Sequence, residues 1–129
     1  MAYFSTMTTS EIATVLAWHD ALNDQDFDTL LSLSSDDIEV GNADGAVQGH
    51  DALVEWAESA GITVEPGRMY VHDGVVVVEQ QITWASDGTT VAAASAFRVV
   101  HDHVTSVFRH DDLASALAAT DLTQRDLTQ

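Results

Sequence analysis

The chain has 129 residues, of which 46% are apolar, and 21 acidic residues stand against four arginines and no lysine, a formal net charge of −17. This length fits one domain with one hydrophobic core, and so acidic a surface disfavours binding to nucleic-acid phosphates or to an anionic membrane. The absence of cysteine excludes disulfides, thiol catalysis and thiolate metal sites.

Two explanations fit the acidity: a surface that binds a partner, or a solvated coat that keeps a protein soluble in concentrated salt. The lack of lysine favours the second, so a halophilic source and a cytoplasmic location are expected. No apolar run approaches 18 residues, and no basic segment precedes a long apolar stretch at the start. Neither a membrane span nor a secretory signal is therefore expected.

The first half of the chain is predicted to be mainly helical. After a loose arm at residues 1–8, Thr9 or Ser10 can cap a helix that begins near Glu11 and ends at Asn23–Gln25. The elements predicted next are a helix at about Phe27–Ser34, a short strand at Ile38–Val40, a loop at Gly41–Gly49 and a helix from about Asp51 to Ala60.

Strands dominate the second half. After a turn at Pro66–Gly67, the predicted strands are Arg68–His72, Val75–Trp84, Thr89–His101 and Val104–Asp111, separated by tight turns rich in Asp and Gly. A helical tail is expected at Leu113–Ala119, and residues 120–129 are expected to fray. Long antiparallel strands after helices predict an α+β fold with helices on one face of a curved sheet.

Strand alternation predicts which side chains face the interior. On the more apolar face of Val75–Trp84, Gln80 is a lone polar group, either a buried amide satisfied by backbone or water, or a ligand contact. Ser95 shares a face with Phe97 and is expected to be a packing serine, since no Ser-His-Asp order accompanies it. The small residues at 92–96 suit close packing of two sheets in a dimer.

The order of elements resembles the nuclear transport factor two-like superfamily, which includes SnoaL-like polyketide cyclases, ketosteroid isomerase and limonene epoxide hydrolase. The resemblance covers roughly Glu11 to Leu117 and is carried by residues 21–30, 49–53, 97–100 and 104–111. It implies a cone-shaped, curved mixed or antiparallel sheet wrapped on the N-terminal helices, a cystatin-like α+β barrel. It also implies a ligand inside the cone and a homodimer through the outer face of the sheet.

The last strand is ambiguous by pattern, and the resemblance implies that Thr105, Val107, Arg109 and Asp111 point inward and His110 outward. Arg109 and Asp111 would then form a pair at the mouth of the cavity, either functional or purely structural. An aspartate beside an arginine stays ionised and can act as a general base. SnoaL-like cyclases place an acid/base aspartate near the end of this strand, and Asp111 matches it.

The other chemistries of the superfamily fit poorly. In the place of the Tyr, the base and the protonated Asp of ketosteroid isomerase stand Trp18, Asn42 and Ser95, so that activity is not expected. Limonene epoxide hydrolase also fails, since its Tyr is replaced by Val40 and its Arg by Gln80. A metal site would need three or four of the six histidines to converge, so neither a metal nor a cofactor is expected.

The leading hypothesis is a homodimeric cone domain that binds a small hydrophobic or polar organic molecule, with acid/base isomerisation, cyclisation, dehydration or hydrolysis through Asp111. The residues expected around the ligand are Trp18, Asn42, Trp56, Gln80, Ser95, Phe97 and Arg109. One alternative is a non-catalytic ligand-binding or interaction protein of the same fold. Another is a structural dimer whose cavity is filled by its own side chains.

Overall fold

The computed structural model describes residues 2–42 and 44–127, with the side chains of residues 11–42, 44–59, 61–123 and 125–127. Its helices are α1 (Ala2–Asp24), α2 (Phe27–Ser32), α3 (His50–Ala60) and α4 (Leu113–Thr120). Its strands are β1 (Ser34–Asn42), β2 (Gly45–Gln48), β3 (Ile62–His72), β4 (Val75–Trp84), β5 (Thr90–Val100) and β6 (His103–His110). A 3₁₀ turn follows at Gln124–Asp126.

The strands form one sheet in the order β2-β1-β6-β5-β4-β3, in which β1 runs parallel to β6 and every other pair is antiparallel. Register shifts occur between β3 and β4 at Pro66–Met69, with the extra residue on β3, and between β5 and β6 at Arg98–Val99, where the extra residue, Thr105, is on β6. Such bulges bend a strand and increase its twist, so the sheet curves around the helices. The predicted α+β fold with a curved mixed sheet is confirmed.

Local sequence explains the tight turns between the long strands. Asp73 and Gly74 join β3 to β4, and His101 and Asp102 join β5 to β6, all with positive φ. Two-residue hairpins of the type I′ geometry require positive φ at both positions, which Gly adopts freely and Asp or His tolerates better than most residues. These turns set the antiparallel register that aligns the inner faces of β4, β5 and β6.

The main core lies between the inner face of the sheet and the helices. Trp18 of α1 and Leu53 of α3 are buried there against Val76, Phe97 and Val107 of the sheet. Helix α1 turns an apolar face towards the sheet, with Ile12, Val15 and Leu22 all buried at helical spacing. The helices thus close one side of the curved sheet and leave room between them and its strands.

A second, smaller core lies on the outer face of the sheet, where α4 packs. Ala116 of α4 and Leu122 are buried with Tyr70, Val77 and Ala94. Ala94 belongs to the small-residue stretch at 92–96, and its methyl side chain lets the helix approach the strand closely. The space that the sequence suggested for a second sheet is therefore occupied in part by the chain's own helix.

Several element boundaries differ from the predicted ones. Helix α1 starts at Ala2 rather than near Glu11, and the predicted caps Thr9 and Ser10 lie outside the described side chains. The predicted loop Gly41–Gly49 contains strand β2, which pairs with β1 as a hairpin. Pro66 lies within β3, at the bulge, where proline's missing N–H is tolerated.

The final ten residues include the 3₁₀ turn and a bridge from Leu127 to Tyr70. Among the described residues, no helix is long and apolar enough to cross a membrane.

Candidate functional site

A cavity of about 410 Å³ opens between the inner face of the sheet, α1 and α3, and the β1–β2 hairpin borders its mouth. Pockets for small organic ligands span about 300–1,000 Å³, so this space can hold a molecule of a few rings. All seven residues predicted to surround a ligand line it: Trp18, Asn42, Trp56, Gln80, Ser95, Phe97 and Arg109. The sequence-based hypothesis of a cavity filled by its own side chains is not what the structure shows.

Aromatic rings form one wall of the cavity. The rings of Trp18 and Phe97 meet edge to face with their centroids 5.4 Å apart. The ring centroids of Trp18 and Trp56 lie 6.4 Å apart, and the angle between the two ring planes is 32°. The indole N–H of Trp18 donates to Ser34 Oγ at 3.1 Å, and Ser34 Oγ donates to the carbonyl of Leu30 at 2.7 Å. Since its donor is used inside the core, Trp18 presents only its ring to a ligand, as a flat apolar surface.

A buried polar chain runs from α1 through β4 to β5. His19 Nδ1 lies 2.8 Å from the carbonyl oxygen of Val15, His19 Nε2 lies 2.8 Å from Gln80 Nε2, and Ser95 Oγ donates to Gln80 Oε1 at 2.7 Å. His19, Gln80 and Ser95 are all buried, and burial lowers the pKa of the His19 imidazole. The amide of Gln80 thus bonds to two side chains, and it also lines the cavity.

Arg109 is the strongest electrostatic feature of the cavity wall. It is paired across the ladder with Ser95, so both side chains lie on the inner face. Arg109 is half-buried, its Nε has no hydrogen-bond partner among the described residues, and none of their carboxylates lies within 4 Å of the guanidinium. Burial lowers the pKa of Arg109 from its usual value, and the group keeps its charge at neutral pH. The other arginines of the described chain, Arg68, Arg98 and Arg125, are exposed.

Asp111 does not join this arrangement. Strand β6 ends at His110, and the chain turns into α4, whose first N–H groups are capped by the side chain of Asp112. Asp111 is therefore exposed and lines a separate open depression, which shares Arg109 and Asn42 with the cavity. The expected inward pair of Arg109 and Asp111 is not formed: no salt bridge joins the two described side chains, and Asp111 does not line the cavity, although both residues line the depression.

The cavity also lacks the donors of an oxyanion hole of the ketosteroid isomerase type. The N–H of Trp18 is used by Ser34, and the hydroxyl hydrogen of Ser95 is used by Gln80. Asn42 is exposed, and its side-chain oxygen accepts from the backbone N–H of Asp44 at 2.9 Å. Of the polar groups that line the cavity, Arg109 is the one that offers a strong unused donor.

Sequence reasoning missed His19 as a functional residue. His19 stands at helical spacing from Val15 and Leu22, on the apolar face of the first helix, and a polar side chain on such a face is the available signal. Its partner Gln80 comes 61 residues later, so only the folded chain brings them together. Within the described part of the chain, no group of three His, Asp or Glu side chains is placed to hold a metal ion.

The curved mixed sheet, the helices that close one side of it and the cavity between them form the cone-shaped α+β fold of nuclear transport factor two-like proteins. The model of the SnoaL-like domain matches residues 15–113, and the chain belongs to that family. No curated protein matches the sequence significantly.

Solved structures support the same fold. A candidate polyketide cyclase from Sinorhizobium meliloti has a TM-score of 0.69 and 20% identity, covering 76% of this chain and 94% of that one. A candidate ketosteroid isomerase from Kribbella flavida has a TM-score of 0.71 and 13% identity, covering 78% and 76%. TerC, co-crystallised with polyporic acid, has a TM-score of 0.67 and 20% identity, covering 82% and 94%. At such identities the likeness establishes the fold and not the activity.

Proposed function

We propose that the cavity binds a small, planar organic molecule whose acidic or carbonyl oxygen is held by Arg109. The observation that carries this proposal is the unpaired guanidinium on the cavity wall, with a buried Nε that has no partner among the described residues. A desolvated charge without a counter-ion lowers the stability of a protein, so its presence beside a cavity points to a ligand that completes it.

The residues that line the cavity restrict the chemical class of the ligand further. The rings of Trp18, Trp56 and Phe97 favour a flat, largely apolar body, and Arg109 favours a carboxylate, enolate, phenolate or ketone oxygen. Long-range repulsion from a chain of net charge −17 opposes the approach of an anion, so a single delocalised negative charge is preferred to several. TerC, which was crystallised with polyporic acid, supports the idea that this fold accepts a small organic acid.

Binding is better supported than acid/base catalysis. The lining of the cavity contains one carboxylate, Asp44, which is exposed at the mouth, and the hydroxyl hydrogen of Ser95 goes to an amide that cannot take a proton. A second candidate function is isomerisation, cyclisation, dehydration or hydrolysis with Asp111 as the base, since Asp111 borders a depression that shares Arg109 with the cavity. Asp111→Asn tests it: lost turnover with unchanged ligand affinity is expected, and full retention of turnover refutes it.

Arg109→Met tests the binding proposal, with Arg98→Gln as the matched control because Arg98 is exposed on the outer face of β5. Benzoate and 1-naphthoate are the probes, titrated by calorimetry at fixed, high salt. Loss of a charge-assisted hydrogen bond is expected to weaken binding by about 10- to 100-fold in Arg109→Met and to leave the control unchanged. If no aromatic acid binds the wild type, or if both variants bind alike, the proposal is wrong.

The same variant has a second expected effect. Because methionine removes a half-buried cation that lacks a partner, the ligand-free Arg109→Met protein should be at least as stable as the wild type. Comparing the stability of the ligand-free variant with that of the wild type therefore shows whether weaker binding is caused by the lost guanidinium or by loss of folding.

We also propose that the protein forms a homodimer through the outer face of the sheet, in the region that α4 leaves open. The exposed residues there include Arg98 and Val100 of β5. Light scattering during size-exclusion chromatography measures the assembly directly, and a monomer at micromolar concentration would contradict it. A halophilic source and a cytoplasmic location stay predictions from the charge.

A further inference from the structure

We infer that the hydroxyl of Ser95 faces the cavity only as a hydrogen-bond acceptor, and that His19 and Gln80 are the positioning residues that impose this polarity. The ligand that fits therefore carries an O–H or N–H donor close to the oxygen held by Arg109. The ligand part of this inference rests on the proposed function, whereas the polarity of Ser95 does not.

The polarity of Ser95 follows from the backbone carbonyl of Val15, where the series of hydrogen bonds begins. The oxygen of Val15 has no hydrogen, so at 2.8 Å the hydrogen must be on His19 Nδ1. Burial keeps the imidazole neutral, and a neutral imidazole protonated at Nδ1 is an acceptor at Nε2. The atom of Gln80 that lies 2.8 Å from Nε2 must then be its amide nitrogen, which donates.

The orientation of the Gln80 amide decides the role of Ser95. With the nitrogen turned to His19, the amide oxygen faces Ser95, and it can only accept. Ser95 therefore gives its single hydrogen to Gln80 at 2.7 Å, and its remaining lone pairs are what the cavity meets. All three side chains are buried, so water does not compete for these bonds as it does at a surface.

Ser95 and Arg109 stand side by side on the inner face, since they are direct partners in the β5–β6 ladder. Directly opposed residues of an antiparallel pair have Cβ atoms about 5 Å apart. The wall thus presents an acceptor from Ser95 next to donors from Arg109. An aromatic acid with a hydroxyl group meta to its carboxylate matches this pattern, whereas its methyl ether sets an oxygen without a hydrogen against the lone pairs of Ser95.

A ligand-free measurement tests the polarity. Long-range ¹⁵N–¹H correlation spectra distinguish the two neutral tautomers of histidine, and the His19 signals are assigned by their loss in His19→Gln. At pH 7.5 the expected result is neutral His19 with its hydrogen on Nδ1. A hydrogen on Nε2, or a doubly protonated ring, would overturn the inference, because either would turn the amide of Gln80 around.

A binding measurement tests the consequence for the ligand. The probes are 3-hydroxybenzoate and 3-methoxybenzoate, and the wild type is expected to prefer the hydroxy compound by about 10-fold or more. In Ser95→Ala the affinity for the hydroxy compound should fall while that for the ether does not. In Gln80→Met the freed hydroxyl can turn and donate to the ether oxygen, so the preference should shrink; an unchanged preference there would overturn the positioning role.

The two kinds of failure are distinguishable. If benzoate binding depends on Arg109 but the wild type shows no preference between the two probes, the ligand part of this inference is wrong and the proposed function stands. If neither probe binds, both the ligand part and the proposed function are wrong. The tautomer of His19 then still tests the polarity of Ser95. If Gln80→Met does not fold, that same spectrum of the wild type decides the positioning role.

Discussion

Replacing His19 with glutamine tests whether the buried imidazole stays neutral in the folded protein. Burial lowers the pKa of His19 below the usual 6.5, and this outweighs its bond to Val15 and the charge of Asp20, which raise the pKa. As the pH falls through about 6.5, the unfolded chain takes up a proton at this residue and the folded protein does not. The free energy of unfolding must therefore decrease with falling pH until the lowered folded pKa is reached.

The size of this decrease in the free energy of unfolding follows from the uptake of one proton by the unfolded chain. A difference of one bound proton changes the free energy of unfolding by about 1.4 kcal/mol per pH unit. Because protonation of the unfolded chain is incomplete near pH 6, the loss between pH 6 and pH 5 is at most about 1.2 kcal/mol, the limit for a folded protein in which the ring stays neutral throughout. Glutamine keeps an oxygen that can accept from Gln80 and removes the titration, so His19→Gln should not show this loss.

Urea unfolding followed by circular dichroism, at several pH values and one fixed salt concentration, measures the effect. The quantity to compare is the change from pH 6 to pH 5 in wild type minus that in His19→Gln, which cancels the changes that acidification causes elsewhere. The matched control is His101→Asn, at an exposed turn position with φ 50° that asparagine tolerates, and it should follow the wild type. Parallel pH dependences for wild type and His19→Gln would refute a neutral, buried His19.

Two further substitutions test the parts of the fold around the site. Burial and the nearby charge of Asp73 raise the pKa of Glu11, whose Oε2 has no partner among the described residues, so Glu11→Gln should raise the melting temperature at pH 7. A raised folded pKa stabilises the protein at low pH, so this gain should vanish by about pH 4, and a gain that persists there would contradict the explanation. Ala116→Asp places a charge in the buried contact between α4 and the sheet and should cost about 2 kcal/mol or more in urea unfolding. Ala118→Asp, on the exposed side of the same helix, is its control and should cost much less; equal losses would mean that α4 does not pack as described.

Much of the architecture could be predicted because it depends on local patterns. The strand Val75–Trp84 was predicted with the bounds of β4, since apolar alternation between two strong turn signals defines a strand within the chain itself. The hairpin of β1 and β2 was missed, because its second strand is exposed along its whole length and shows no apolar alternation. Its formation depends on pairing with β1, which no short window of sequence contains.

The site shows the same division. Alternation and the family resemblance placed Gln80, Ser95 and Arg109 on the inner face, and the structure has them there around one cavity. The inward direction of Asp111 came from the family resemblance, which required the strand to stay extended for one residue beyond its observed end at His110. Alternation holds only while the chain is extended, and here the turn into α4 ends it.

The sequence by itself determined the class of fold, the faces of the long strands and an acidic surface that disfavours nucleic acid. Those properties follow from composition and from periodicities of two or 3.6 residues, which a linear chain displays without folding. Tertiary structure alone decided that the donors of Trp18 and Ser95 are already used, that Arg109 is unpaired and that α4 covers part of the outer face. Hydrogen-bond polarity and charge pairing depend on which atoms of distant residues meet, and only the folded chain brings those atoms within bonding distance.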